Sequence, residues 1–194
     1  MRKRLICLVC LALVSTFSFA QQKAPPSGRG MDQPSIPSIC DNIGANFLTN
    51  CGFETGDFGS WDLTGPTDYT FIDSGDITNS GDWGAAFGPI GEFNRLTKTG
   101  PTNVGGRYHV EFWLANTLGG TGTFFGADFA DQALMVLEDG SAPFEYTLFT
   151  FGPLVATEEF STLGFIFRHD PWFWYFDDVD LEPQSAVPSG TARK

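Results

Sequence analysis

The sequence predicts an all-β protein, a two-sheet antiparallel β-sandwich built from one domain at residues 40–182. Three observations predict it. Glycine and aromatic residues are abundant, with 23 Gly and 20 Phe among 194 residues. No amphipathic helical pattern continues beyond about two turns. Short β-forming runs recur about every ten to fifteen residues with turn signals between them, and a sandwich closes that many strands around one core.

The predicted strands are rich in β-branched and aromatic residues, and glycine or aspartate separates many of them. They cover residues 69–73, 83–87, 93–99, 107–114, 122–129, 133–137, 144–151, 162–168 and 174–181. The dipeptides at 75–76, 81–82, 119–120 and 139–140 supply turns. A short apolar strand is also expected at Phe47-Leu48, ahead of the others.

Alternation of side chains assigns the faces of two strands. The predicted core face of residues 108–114 carries Tyr108, Val110, Phe112 and Leu114. The opposite face of that strand carries His109, Glu111 and Trp113. In residues 163–168, positions 163, 165 and 167 point inward, and positions 166 and 168 point outward. The phenylalanines are numerous enough to fill the core, to which Trp61 is also assigned.

Two acidic residues lie near the two ends of the domain. Glu54 follows Phe53 in a glycine-rich turn, where a poorly solvated carboxylate needs a positive partner. Asp177 shares a face with Val179 and Leu181 by strand alternation, so it is predicted to point inward. The same alternation directs Asp178 and Asp180 toward solvent.

These segments resemble known families. Residues 46–61 resemble the opening NLLxNGxFExGxFxxW of carbohydrate-binding modules with a galactose-binding-like jelly roll, and residues 175–181 resemble their closing FDDVxL. Residues 85–90, 106–115 and 164–171 resemble PEP-CTERM-type exported bacterial proteins, which share that fold. The resemblance spans residues 40–182. It implies a jelly roll with a structural calcium bound by Glu54 and Asp177.

Calcium takes carboxylate and carbonyl oxygens, and acids from both ends of the chain would tie the sandwich together. Asp57 is a further candidate ligand. The alternative is that Glu54 and Asp177 accept backbone hydrogen bonds without a metal, and that Asp57 caps the turn at residues 56–59.

The first twenty residues read as a signal peptide, with a basic start at 2–4, an apolar run at 5–14 and a cleavage signal at 18–20. A retained anchor is the alternative, although that run is too short to span a bilayer. Residues 21–39 are expected to be a disordered linker and residues 183–194 a flexible tail. Residues 187–194 lack the PEP-CTERM sorting signal. That absence predicts release or another mode of retention, and the signal peptide predicts a secreted protein.

Removing residues 1–20 removes three of the 11 Lys and Arg and none of the 23 Asp and Glu, so the formal net charge falls from −12 to −15. This acidity argues against nucleic acid and anionic membranes as partners. Cys40 and Cys51 remain as an even pair in an oxidising compartment, which predicts a disulfide between them.

Enzyme motifs with a metal-binding helix, a nucleophile elbow or a phosphate loop do not occur in the sequence, so we expect no catalysis. Sugar binding uses exposed aromatic rings flanked by polar groups. The candidates are Trp113 with His109 and Glu111, then Trp172, Trp174 and Trp83, with partial burial as the alternative for each. Two functions follow: a module that binds extracellular polysaccharide or cell-surface glycan, or a structural matrix protein or adhesin without a specific sugar.

Overall fold

The computed structural model describes residues 37–44 and 46–184. Within those residues the regular elements are ten β-strands and one short 3₁₀ helix, Cys40–Asn42. The strands are β1 Asp62–Thr64, β2 Thr70–Asp73, β3 Gly84–Phe87, β4 Asn94–Pro101, β5 Arg107–Asn116, β6 Thr123–Phe129, β7 Gln132–Leu137, β8 Phe144–Val155, β9 Phe160–His169 and β10 Trp174–Pro183. No helix in the described part of the chain is long and apolar enough to cross a membrane.

The strands form two antiparallel sheets of five strands each. The first sheet has the order β1-β4-β9-β6-β7 and the second has the order β2-β3-β10-β5-β8. Every strand pair is antiparallel. The predicted all-β, two-sheet sandwich is therefore confirmed. The nine predicted strands correspond to β2–β10.

Aromatic side chains join the two sheets in the core. Phe165 of β9 lies 4.7 Å from Phe176 of β10 and 5.2 Å from Phe112 of β5, measured between ring centroids. The face assignments for β5 and β9 are confirmed, because the residues predicted to point inward are buried and those on the other faces are partly exposed. Trp61 is buried in the core, as expected.

The segment at Phe47-Leu48 is not a strand. The Phe47 amide donates one hydrogen bond, of 2.9 Å, to the carbonyl of Leu181 in β10. The side chain of Asn46 replaces further backbone pairing between the two segments, because its Oδ1 accepts hydrogen bonds from the amides of both Leu48 and Leu181. Strand β1 was not predicted, because Asp62, Leu63 and Thr64 contain one apolar residue and carry no clear alternation.

A β-bulge in β10 overturns the predicted orientation of Asp177. The register runs from Asp177 opposite Trp113 to Asp180 opposite Glu111, so one extra residue is inserted between them. Asp178 adopts the left-handed region, with φ of 49°. Asp177 therefore lies on the outer face of the second sheet, while Val179 remains in the core.

The prediction that Asp178 and Asp180 face solvent is wrong. Their exposed fractions are 3% and 2%. Asp178 is buried because Ser38 and Ser80 donate hydrogen bonds to its carboxylate from segments that pass over β10. A strand pattern shows which face a residue occupies, but it does not show what loop covers that face.

A disulfide joins the 3₁₀ helix of the N-terminal segment to the residue two positions before Phe53. Cys40 and Cys51 are bonded, as predicted, and both sulfur-bearing residues are buried. Ser38 is buried as well, so residue 38, assigned to the linker from the sequence, lies within the packed part of the chain, whereas Ile39 is exposed. The predicted signal peptide, the linker up to residue 36 and the tail from residue 185 lie outside the described residues.

Candidate functional site

The outer face of the second sheet brings together most of the predicted ligand-binding residues. His109, Glu111 and Trp113 alternate along β5 with the core residues, and all three are partly exposed. Their neighbours are fixed by register. On β8, Leu148 lies opposite Trp113 and Thr150 lies opposite Glu111. These side chains form one continuous surface, which we call the Trp113 face.

Polar groups on the Trp113 face hold one another in place. The Nε2 atom of His109 lies 3.7 Å from Oε1 of Glu111, and its Nδ1 atom lies 4.0 Å from Oε1 of Glu182 on β10. The hydroxyl of Thr150 donates a 3.1 Å hydrogen bond to Oε1 of Glu111. An imidazole between two carboxylates, beside an indole ring, offers both donors and acceptors to a bound ligand.

Asp180 adds a buried acid beneath this row. Burial raises its pKa to about 7, and the neighbouring carboxylates of Glu182 and Glu111 add to the effect. Its Oδ1 atom is buried and has no hydrogen-bond partner in the structure. Burial and the neighbouring carboxylates therefore disfavour the charged form of Asp180.

A separate row of aromatic rings lies on the same outer face, toward one end of the sandwich. Tyr175, on β10, lies opposite Ala115 and two residues before the aspartate that pairs with Trp113. Its ring stacks near Phe173, with centroids 6.5 Å apart, and Phe173 contacts Phe71 edge-on at 5.3 Å. All three aromatic residues are partly exposed.

Trp172 lies at the end of this aromatic row. Its indole nitrogen donates a 3.3 Å hydrogen bond to the hydroxyl of Thr117, and its backbone amide donates to Nδ1 of His169. His169 is buried, and burial lowers its pKa to about 4, so the ring is neutral at physiological pH. With Nδ1 accepting, Nε2 is the protonated nitrogen, and it lies 3.1 Å from Oδ1 of Asn116. A fixed histidine thus positions the loop that presents Trp172.

Trp174 does not belong to this surface. It has no exposed area and packs in the core against Phe125, with centroids 5.6 Å apart, so no face of its ring is free for a sugar. The reason is strand alternation, since Trp174 and Phe176 both point inward while Tyr175 between them points outward. Tyr175 is the residue that sequence reasoning passed over, and the same alternation could have identified it.

Trp83 lies elsewhere. Its ring packs against Gly56. The nearest ring atoms lie 3.5 Å from the position that a Cβ atom would occupy at Gly56. Gly56 is in the turn that carries Glu54, so Trp83 belongs to that turn rather than to the row on β5.

The acids predicted to bind calcium accept backbone hydrogen bonds. Glu54 accepts from the amides of Asp82, at 2.9 Å, and Trp83, at 3.3 Å. Asp177 accepts the amide of Asn79 at Oδ2 and that of Asp178 at Oδ1, both at 2.8 Å. Backbone hydrogen bonds to both acids are what the alternative interpretation, in which no metal is bound, predicts.

These bonds do not use every lone pair. A carboxylate offers about four acceptor positions, so Glu54 keeps some for a cation. Burial raises the pKa of Glu54, and the charges of Asp82 and Asp178 raise it further. The acid of β10 whose charge raises the pKa of Glu54 is thus Asp178, which the sequence had predicted to face solvent. Burial and the charge of Asp178 raise the pKa of Asp177 to about 9. Carboxylate oxygens are donors that calcium takes, but within the described residues Glu54 and Asp177 do not belong to a group of three or more acids close enough to hold one ion.

Asp57 caps the turn in which it lies. Its Oδ1 accepts hydrogen bonds from the hydroxyl of Thr55, at 2.6 Å, and the amide of Gly59, at 2.8 Å. These two bonds, that of Thr55 foremost, lower the pKa of Asp57. The group formed by Cys40, Asp41 and Cys51 has the spacing of a metal cluster, but its two sulfurs are joined as a disulfide and are not free ligands.

Comparisons with known proteins identify the architecture. No family model and no curated protein sequence matches the chain. Among solved structures, the module TmCBM61 in complex with β-1,4-galactotriose superposes with a TM-score of 0.59 and 19% identity, covering 72% of this chain and 99% of that one. The chain has the β-sandwich fold of carbohydrate-binding modules.

Two further structures agree. The C-terminal family 22 carbohydrate-binding module of Clostridium thermocellum Xyn10B gives a TM-score of 0.52 at 12% identity, covering 75% of this chain and 98% of that one. The enzymatically active domain of bacteriophage CBA120 tailspike protein 4 gives a TM-score of 0.52 at 17% identity, over 72% of this chain and 22% of that one. At these identities the likeness establishes the fold alone.

Proposed function

We propose that the protein is a non-catalytic carbohydrate-binding module whose Trp113 face binds extracellular polysaccharide or cell-surface glycan. One observation carries the proposal. Trp113 is partly exposed on the outer face of the second sheet, in line with the polar side chains of His109 and Glu111 on the same strand. An indole ring stacks on the apolar face of a pyranose, and polar neighbours bind the hydroxyl groups at its edge.

The shape of the fold supports this assignment. Trp113 and Glu111 lie on β5, and Tyr175 lies on β10, so rigid strands of one sheet hold the groups that would contact a sugar. Sandwiches of this fold include a module solved with β-1,4-galactotriose and a xylan-binding domain. For this chain we propose a glycan of the same general kind.

The test is a glycan array with the mature protein, followed by calorimetric titration with the best ligand. We expect Trp113→Ala to lower the affinity by about fivefold or more, since a buried aromatic contact contributes about 1 kcal/mol or more. Trp83→Ala is the matched control and should bind as the wild type does. Thermal melting of both variants checks that they fold.

Two results would contradict the proposal. If no glycan binds, the protein belongs to the second class, a structural matrix protein or adhesin without a specific sugar. If Trp83→Ala loses binding while Trp113→Ala keeps it, the ligand binds at the Glu54 turn instead.

We also propose a structural calcium held with the help of Glu54 and Asp177. Two observations support this proposal. Glu54 supplies carboxylate oxygens near the beginning of the domain and Asp177 supplies them near its end, and burial disfavours the charged form of both acids in the absence of a cation. Within the described residues, the charged groups that act on these two acids are themselves acidic. When bound, calcium would neutralise this negative charge and join the two chain ends.

The calcium proposal is tested by melting the protein in chelator and in added calcium. We expect calcium to raise the melting temperature of the wild type, because an ion that binds only the folded state stabilises it. The shift should shrink in Glu54→Gln. Equal melting with chelator and with calcium would end the proposal, and an undiminished shift in Glu54→Gln would place the ion elsewhere.

We further propose that the protein is exported. The signal-like start of the sequence supports export, and so does the disulfide between Cys40 and Cys51, since disulfides persist in oxidising compartments. Mass spectrometry of the protein from culture supernatant should find an N-terminus near Gln21. Recovery only in the reduced, uncleaved form inside cells would contradict export.

A further inference from the structure

A polar pocket lies on the side of the molecule opposite the Trp113 face, on the outer face of the first sheet. Its volume is about 280 Å³, and its walls come from β4, β6, β9 and the segment before β9. The residues that carry the argument are Arg95, Asp128, Asp131, Glu158, Phe160 and Thr162. We call it the Phe160 pocket. None of these residues belongs to the Trp113 face.

The floor of the Phe160 pocket is an ion pair laid across β9. The Nη2 atom of Arg95 on β4 lies 2.7 Å and 2.8 Å from the two carboxylate oxygens of Asp128 on β6. Gly164 lies between them on β9, opposite Asp128. A side chain at position 164 would collide with the guanidinium group of Arg95. The glycine therefore makes room for the pair.

Such a pair is arranged to bind neighbouring hydroxyl groups. Only Nη2 of Arg95 donates to Asp128, so the guanidinium group has further N–H donors, and each carboxylate oxygen has a further lone pair. One hydroxyl can then accept from Arg95 while the next donates to Asp128. Both side chains are partly exposed, at 36% and 24%.

Phe160 supplies an apolar wall beside these polar groups. It is 65% exposed, the largest exposed fraction among the large apolar side chains of the described chain. Leaving a phenylalanine in water forgoes the free energy that burying its ring would contribute. A ligand that stacks on the ring would recover part of that free energy, as the face of a pyranose can.

The rim of the pocket determines the charge of its ligand. Three carboxylates, of Asp128, Asp131 and Glu158, face one guanidinium group. Only the first is paired with Arg95. The remaining negative charge would repel an anionic group such as a uronic acid. The pocket volume is at the lower limit for small-molecule sites, which suits one sugar residue rather than a chain.

The rim is also held in a fixed shape. Ala130 and Asp131, which connect β6 to β7, both have positive φ, of 49° and 61°. A turn of this type normally uses Asn-Gly or Asp-Gly, so alanine here is strained. The amide of Ala130 donates a 3.0 Å hydrogen bond to the carbonyl of Thr162 and anchors the turn to β9.

We propose that the Phe160 pocket is a second saccharide site, which binds a single uncharged sugar residue by stacking on Phe160 and by hydrogen bonds to Arg95 and Asp128. It stands apart from the Trp113 face. With both sites occupied, one molecule would hold two glycans on opposite faces of the sandwich, one of them by a single sugar residue, and so link them.

The test is an NMR titration of ¹⁵N-labelled protein with the methyl β-glycosides of galactose, xylose and glucose. Methyl β-glucuronide serves as the matched charged control for the glucoside. At least one neutral glycoside should shift the amides of Thr162 and Gly164, and the glucuronide should shift them about tenfold more weakly. Phe160→Ala, at an exposed position, should keep the fold and weaken those shifts by about tenfold. Asp128→Asn should weaken them as well.

The outcomes are distinguishable from those for the first site. If every neutral glycoside leaves Thr162 and Gly164 unshifted while the Trp113 indole signal moves, the second site is refuted and the first stands. Unchanged shifts in Phe160→Ala, or equal binding of the glucuronide, also refute the second site. Shifts at Thr162 and Gly164 that survive Trp113→Ala support it, even if the Trp113 face binds nothing.

Discussion

At the scale of single residues, Gly81 shows how closely the backbone approaches a buried acid. It has φ of 70°, and a side chain there would overlap the carboxylate of Glu54. We predict that Gly81→Ala destabilises the protein by about 2–4 kcal/mol, the sum of left-handed strain and of the amide donors left unpaired when Glu54 moves. Urea unfolding measures the change.

Gly75→Ala is the matched control for that substitution. Gly75 also has positive φ, of 91°, but nothing lies within 4 Å of where its side chain would be. Only backbone strain should act, at a cost of about 1–2 kcal/mol. Equal losses in the two variants would show that the Glu54 carboxylate is not held against the turn.

Asp180 gives a prediction about pH. Its pKa is raised from 3.8 to about 7, so the folded protein binds this proton more tightly than the unfolded chain does. Its contribution to stability is therefore fully present below about pH 4 and is lost as the pH rises toward about 7. The groups that face it are the acids Glu182 and Glu111, with His109 between them.

Asp180→Asn isolates this contribution from the rest of the acidic chain. Compared with the wild type, the variant should gain stability between about pH 5 and about pH 8, because asparagine cannot acquire the opposed charge. Thermal melting of both proteins across that range, in chelator, measures the difference. A difference that does not change with pH would mean that Asp180 titrates normally.

At the scale of elements, the bulge in β10 connects the last strand to the N-terminal segment. Asp178 accepts hydrogen bonds from Ser38, Ser80 and the amide group of Asn79. We predict that Asp178→Ala costs about 3–5 kcal/mol in urea unfolding, since several bonds to a charged acceptor are lost and alanine is strained at φ of 49°.

The comparison for the bulge is Asp178→Asn. Asparagine tolerates positive φ and keeps one acceptor oxygen, so it should cost less than alanine. If both substitutions cost under about 1 kcal/mol, the N-terminal segment is not anchored through Asp178.

The elements also show what the sequence could predict. Regular alternation assigned both faces of β5 and β9. Tyr108 to Leu114 alternate strictly between buried and partly exposed positions. In β9 the inward positions 163, 165 and 167 are buried, and the outward positions 166 and 168 are partly exposed. The same rule failed in β10, where one inserted residue moved Asp177 to the outer face. A bulge follows from how neighbouring strands pair, and that information is not local to the strand.

At the scale of the molecule, the Cys40–Cys51 disulfide closes the N-terminal segment onto the sandwich. We predict that Cys40→Ser/Cys51→Ser unfolds at lower urea and loses about 3 kcal/mol, the loop-closure contribution of a short loop. Wild-type protein treated with reductant should behave in the same way. Unchanged unfolding in both samples would mean that the packing of Leu48 and Phe53 holds this segment without the bond.

The fold and one part of the candidate site were accessible from the sequence. The sandwich follows from repeated short strands, and Trp113 with its neighbours follows from alternation in β5. Phe71 and the Phe160 pocket were not, because each depends on residues that are distant in sequence, whereas alternation in β10 could have identified Tyr175. Phe160 lies between apolar strands in the sequence, and only the folded structure shows it beside Arg95 and Asp128.

The most direct test of the central claim is a crystal structure of the protein with the glycan that binds best on the array. The account predicts a sugar ring stacked on Trp113, with hydroxyl groups bonded to Glu111 or His109, on the outer face of the second sheet. A sugar found only away from that face, with the Trp113 ring uncovered at full occupancy of the ligand, would contradict the account.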